Sequence, residues 1–215
     1  MTFKLLTLAA GAAVLAAASG CAPVLIGAPV GAVFGGAGVA TLVAVDRRTA
    51  GIQLEDEGIE LRASTRIREA LVDRAHVTVV SYNRQVLITG EVPNAQDKAA
   101  LSTIVGKVEN VRAVVNEVAV MENSSLSSRS KDALITGRVK AALVDAKDLY
   151  ASAFKVVTER GTVYLMGRVT RTEADRGTEI ARSTDGVVRV VRVFEIITDD
   201  ELKALLPKPA PADKK

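Results

Sequence analysis

Cys21 is the one cysteine of this chain, so its thiol cannot close a disulfide within it. Ala18-Ser19-Gly20 place small side chains directly in front of it. A second set of residues falls within one helical stretch: Lys131, Leu134, Gly137, Arg138, Lys140 and Ala141. At about 100° per residue, Leu134, Gly137, Arg138 and Ala141 share a face that is separate from the core stripe. An aliphatic side chain among small neighbours can enter the boundary between acyl chains and headgroups, while Lys131, Arg138 and Lys140 meet phosphates. Enzymatic chemistry finds few residues. His76 is the sole histidine and reads as a surface or edge residue at the entry to a strand. Asp145 and Asp148 sit near a helix end and a loop, no glycine-rich loop joins strand to helix as phosphate binding requires, and no metal or cofactor is expected.

The length of 215 residues allows one or two domains, and 48% apolar with 25% charged residues excludes broad disorder. Aromatics are 3% with no Trp, so small, β-branched and aliphatic side chains must fill the cores. Residues 1–20 read as an export signal, with Lys4 ahead of the apolar run Leu5 to Ala18. Ending at Cys21, that segment resembles a bacterial lipobox, where the thiol and the new N-terminus are both acylated. An ordinary signal peptide with a chance cysteine is the competing reading. Two or three acyl chains, at about 0.8 kcal/mol per buried CH₂, exceed what stable anchoring needs. Ala22 rather than Asp follows the cysteine, which favours the outer membrane. Residues 21–55 are then a lipidated cysteine and a Gly/Ala-rich tether. Residues 22–45 carry no charge and are long enough to span a bilayer, and Gly27, Gly31 and Gly35 form a small-xxx-small face. Pro23, Pro29 and the many glycines weaken a helix there, so a membrane-hugging tether and a true span both stay open.

The remainder of the chain is duplicated. Ala63, Ile67, Ala70 and Leu71 recur 72 residues on as Ile135, Val139, Ala142 and Leu143, and Leu101, Ile104, Val105 and Val108 recur 76 on as Gly177, Ile180, Ala181 and Thr184. Val86 to Gly90 recurs as Val163 to Gly167. Each unit predicts helix, strand, strand, helix, strand. In the first, a helix over 57–73 precedes strands over 77–82 and 86–92 turning at Asn83-Arg84, a helix capped at Asn94, and a strand over 111–120. In the second, a helix over 129–145 precedes strands over 154–159 and 163–169 turning at Arg160-Gly161, a helix with a Thr170/Glu173 capping box, and a strand over 187–197. Five extra residues, 147–151, lengthen the connection after the first helix of the second unit, and Gly177 should weaken its second helix by about 1 kcal/mol. The fold class is α+β: two tandem domains, 56–121 and 129–197, each an αββαβ two-layer sandwich with a three-stranded mixed sheet and two helices. Units this small are marginal alone and should pack on each other. Residues 122–128 form a linker, and 198–215 a short helix followed by a Pro/Lys tail.

A tandem pair of such units behind a lipidated cysteine resembles the dual BON-domain outer-membrane lipoproteins of the DolP type. The residues carrying this are Asp46 to Gly51, Tyr82 to Gly90, Val163 to Thr170, and Gly186-Val187 before the final strand. The resemblance implies phospholipid association at the outer membrane and support of its barrier, without catalysis. It further implies binding of anionic, phosphatidylglycerol-like lipid through the first helix of the second domain. Family members place an aromatic, often Trp, where Leu134 stands, so the contact here is expected to be weaker or shifted.

Charge agrees with that assignment. Residues 56–121 hold 8 Lys/Arg and 9 Asp/Glu, net −1, whereas 129–197 hold 13 and 9, net +4. Basic residues at an anionic membrane contribute about 1 kcal/mol each. The expectation is a protein lipid-anchored in the outer membrane and facing the periplasm, with enrichment at the division site and no nucleic-acid partner. Two alternatives stay open: the Leu134 face packs on the first domain or the terminal helix, or it docks envelope assembly or division proteins.

Overall fold

The computed structural model describes residues 46–72 and 74–205; Cys21, the expected signal peptide, the tether up to residue 45 and the Pro/Lys tail lie outside the described residues. Among the described residues no helix is long and apolar enough to cross a membrane.

The first domain opens with α1 (Ala50–Leu71), β1 (His76–Tyr82) and β2 (Gln85–Val92), followed by α2 (Ala95–Gly106), β3 (Ala113–Asn116) and β4 (Ala119–Val120). The second runs α3 (Leu126–Asp145), β5 (Lys155–Glu159), β6 (Thr162–Val169), α4 (Arg171–Arg182) and β7 (Arg189–Ile196), and α5 (Asp199–Leu205) follows. In each sheet the middle strand pairs antiparallel on one side and parallel on the other: β1-β2-β3, with β4 continuing beside β2, and β5-β6-β7. The third strand expected over 111–120 is thus broken in two. At the break the Asn116 side chain accepts from the Val118 amide (3.2 Å) and donates to the Lys98 carbonyl (2.8 Å), diverting the ladder to α2.

Helix α1 begins two turns before the expected start because Thr49 caps it, its hydroxyl accepting from the Ile52 amide. The buried stripe is Asp56, Ile59, Ala63, Ile67 and Leu71, and Ala70, expected inside, is exposed. In α3 the stripe is Asp132, Ile135, Val139 and Leu143. Matching Asp56 to Asp132 pairs Ile59 with Ile135 and Ala63 with Val139, a spacing of 76. The spacing of 72 inferred from sequence is therefore one helical turn out of register. Hydrophobic periodicity repeats every turn and cannot tell the two apart; the aspartates can.

Both aspartates serve the hairpin turns. Asn83 and Arg84 adopt φ of 50° and 66°, and Arg160 and Gly161 adopt 49° and 68°, the left-handed pair of a type I′ turn. Asp56 accepts from the amides of Asn83 and Arg84 (both 2.8 Å), and Asp132 from those of Arg160 (2.9 Å) and Gly161 (2.8 Å). The capping box expected at Thr170 and Glu173 is present.

Each domain has its own core between helices and sheet. A third cluster of Tyr82, Leu87, Tyr164, Met166 and Val193 joins the open faces of the two sheets. The packing is four layers: helices, sheet, sheet, helices. Ion pairs lace the seam, with Lys155 on Glu60 (2.8 Å), Arg160 on Glu91 (2.6 Å) and Arg112 on Glu195 (2.7 Å). Ahead of α1, Arg47 reaches the second domain, donating to the Arg168 carbonyl (2.7 Å) and to both carboxylate oxygens of Glu173 (2.5 and 2.8 Å). Arg48 lies 4.3 Å from the Tyr82 ring centroid and pairs with Asp46 and Asp56.

Candidate functional site

With the sheets face to face, the broad outer surfaces of the protein are helical. In α3 the Ser125 hydroxyl caps the first turn by accepting from Ser128, and the stripe Asp132, Ile135, Val139 and Leu143 fixes which side faces the sheet. Thr136 reinforces that orientation through a 2.7 Å hydroxyl contact with Thr158 on β5.

The opposite side of α3 carries the residues singled out in the sequence. Lys131, Leu134, Gly137, Arg138, Lys140 and Ala141 are all exposed. Leu134 keeps 62% of its surface in solvent and Val144, ten residues on, keeps 69%. Leu134, Gly137, Ala141 and Val144 therefore form a shallow apolar line, with open space above Gly137. Lys131, Arg138 and Lys140 flank it, and none forms an ion pair among the described residues; Arg138 makes only a long 3.4 Å bond to the Asp185 carbonyl. A line of aliphatic groups edged by uncompensated cations can receive an anionic headgroup together with the start of its acyl chains.

Sequence reasoning missed the C-terminal half of this surface. Val144 extends the line at helical spacing from Ala141, a signal that was available. Beside it lies a pocket of about 510 Å³ lined by Leu143, Val144, Leu149, Tyr150, Phe154 and Val156, with Lys140 at its rim. The connection from α3 to β5 spans 146–154, nine residues, against four (72–75) between α1 and β1. The insertion seen in the sequence therefore supplies a wall of this pocket.

His76 stands at the entry to β1, the edge strand of the first sheet, where the sequence reading put it, and carboxylates lie near it. One ring nitrogen lies within 4.8 Å of carboxylate oxygens of Glu91 and Glu159, and those oxygens lie within the same distance of each other.

Residues 55–122 and 131–198 each match the family model of the BON domain. The chain belongs to the BON-domain family. The two BON matches begin 76 residues apart, the spacing set by Asp56 and Asp132. This dual BON protein is similar to the outer membrane lipoprotein DolP of Haemophilus influenzae, with 36% identity over 170 residues covering 78% of this chain and 88% of the relative. It is also similar to a 21 kDa hemolysin of Actinobacillus pleuropneumoniae, with 32% identity over 155 residues covering 71% of this chain and 80% of the relative. It is thus a dual BON protein of the DolP type. The solved structure of CdsD, a structural protein of the type III secretion system of Chlamydia trachomatis, matches with a TM-score of 0.29 and 13% identity over 68% of this chain and 99% of that one, too low for any inference.

Proposed function

We propose that this protein is a non-enzymatic lipoprotein of the outer membrane, anchored through Cys21, whose second BON domain docks on anionic phospholipid and so supports envelope integrity. The observation that carries this reading is the exposed line Leu134, Gly137, Ala141 and Val144 with Lys131, Arg138 and Lys140 unpaired around it. The similarity to a lipoprotein named for the outer membrane supports the location.

The magnitudes are modest and additive. Three cations near an anionic surface contribute about 1 kcal/mol each, falling off within a Debye length. Fully burying an aliphatic side chain contributes about 1.5–3 kcal/mol, and Leu134 and Val144 insert only in part. Neither term alone holds a protein on a membrane. Together they orient a molecule that its acyl chains already hold there. The pocket at Lys140 offers further apolar room beside the headgroup position.

Vesicle co-sedimentation of a fragment spanning residues 46–215 tests the proposal. Binding is expected to vesicles containing phosphatidylglycerol and not to zwitterionic ones, and to be lost on combining Lys131→Glu, Arg138→Glu and Lys140→Glu. Equal binding to both vesicle types would sink it. A photo-crosslinker at position 134 should yield lipid adducts. A dominant protein adduct there would instead make the domain a scaffold for envelope assembly or division factors.

A further inference from the structure

The seam between the two domains contains a second chemical feature, far in type from the α3 surface. His76 opens β1 and Glu91 lies near the end of β2, both in the first domain, while Glu159 ends β5 in the second. Their ligand atoms lie within 4.8 Å of one another. Glu91 has no solvent exposure and Glu159 only 5%. Glu91 is engaged, accepting from Arg160 (2.6 Å) on one oxygen and from the amide and hydroxyl of Ser124 (3.3 and 3.2 Å) on the other. Glu159 is not. No hydrogen bond or ion pair ends on its carboxylate among the described residues, although it is buried and faces another carboxylate.

Two buried carboxylates whose oxygens lie within 4.8 Å of each other repel, and a cation between them relieves that repulsion. The Arg160 guanidinium pairs with Glu91 and donates to the Gly90 carbonyl (3.1 Å), and among the described residues no hydrogen bond from it reaches Glu159. Arg129 lines the groove above, together with His76, Thr78, Asp132 and Glu159. That groove, of about 440 Å³, gives a hydrated ion a path in from solvent.

We propose that His76, Glu91 and Glu159 form a site for a borderline divalent cation of the zinc class, bridging the two BON domains. One imidazole and two carboxylates with a position left open to water is a donor set that suits this class. Metal–ligand bonds of about 2.0–2.2 Å in a tetrahedral site place ligand atoms about 3.3–3.6 Å apart, so a pair at the 4.8 Å limit closes by about an ångström on loading. Ser124 and Arg160 act behind Glu91 as orienting groups.

The test uses the full chain in detergent micelles, stripped with a chelator and titrated with zinc chloride by calorimetry, and with cobalt chloride by visible absorption. One ion per chain is expected, with a cobalt spectrum of a low-coordinate N/O site and a zinc-dependent rise in melting temperature. Glu159→Gln and His76→Asn should each weaken zinc at least tenfold and remove the thermal shift. Glu159→Gln keeps the shape of the side chain and removes a repulsive charge, so its melting in chelator reports that the fold is intact. Absence of zinc binding below millimolar concentration, or binding unchanged in both variants, overturns the proposal.

Discussion

Asp56 and Asp132 stand 76 residues apart and perform the same task, each holding both amides of a left-handed hairpin turn. Asp56 also receives the Ser81 hydroxyl (2.7 Å) and the Arg48 guanidinium (2.8 Å). Hydrogen bonds to a charged group contribute about 1.5–3 kcal/mol each, and a deletion leaves the donors unsatisfied. Asp132→Ala is expected to lower the unfolding free energy by about 3 kcal/mol, and Asp56→Ala by more, because Arg48 then loses a buried partner. Urea denaturation monitored by circular dichroism measures both.

The pair of Arg47 and Glu173 welds the segment before α1 to the start of α4, with the Arg47 side chain 1% exposed. Burial opposes ionisation of Glu173, but the Arg47 guanidinium and the Thr170 amide and hydroxyl outweigh it and hold its carboxyl below the usual range. A carboxyl depressed in this way stabilises the fold above its unfolded pKa, and that contribution fades as pH falls through the folded value. Arg47→Ala should cost about 3–5 kcal/mol at neutral pH, as breaking one side of a buried pair does. The loss should shrink under acid. A thermal melt series from pH 7 to pH 3 reads this directly.

Glu159 behaves with the opposite sign. Burial and the Glu91 charge push its carboxyl up to about 7. The folded state then holds a proton that the unfolded state releases, so stability is greatest at acid pH and declines as pH rises toward 7. The slope is about 1.4 kcal/mol per pH unit across that window. In chelator, Glu159→Gln should gain stability at pH 8 and little at pH 4. A gain of the same size at both values would contradict this account.

Gly177 sits where Leu101 sits in the first domain, and a Cβ there would lie 2.6 Å from a Phe154 ring carbon. Helix propensity alone favours Gly177→Ala by about 1 kcal/mol. Overpacking costs about 1–3 kcal/mol and should win, giving a lower melting temperature. Combining Gly177→Ala with Phe154→Leu should recover most of the loss.

On α3, Leu134→Trp should strengthen binding to phosphatidylglycerol vesicles several-fold, since an indole suits the interface better than a leucine. Val144→Asp should weaken it. Surface plasmon resonance on captured vesicles would rank the two against the unaltered protein.

Element order and turn positions were legible because hydrophobic periodicity, capping residues and Asn-Arg or Arg-Gly turns act locally. The true repeat register was not, because a slip of one helical turn preserves the apolar stripe, and only the long-range role of Asp56 and Asp132 breaks the tie. Gly177 looked like a weakness for the same reason: its compensation, Phe154, comes from another element. On α3, Leu134 and Arg138 could be read from helical geometry, while the Lys140 pocket needed the 147–151 insertion to be folded against it. The edge position of His76 was legible, but the carboxylates near it arrive from a neighbouring strand and from the other domain, beyond any sequence window.

The Arg47 clamp has a mechanical consequence. A pull transmitted along the chain toward Asp46 meets the Glu173 anchor before it can peel away the first turn of α1, so traction is shared by both modules from the outset. Tension that would unzip a lone helix end must here shear a docked guanidinium from a sheltered carboxylate, a far stiffer response.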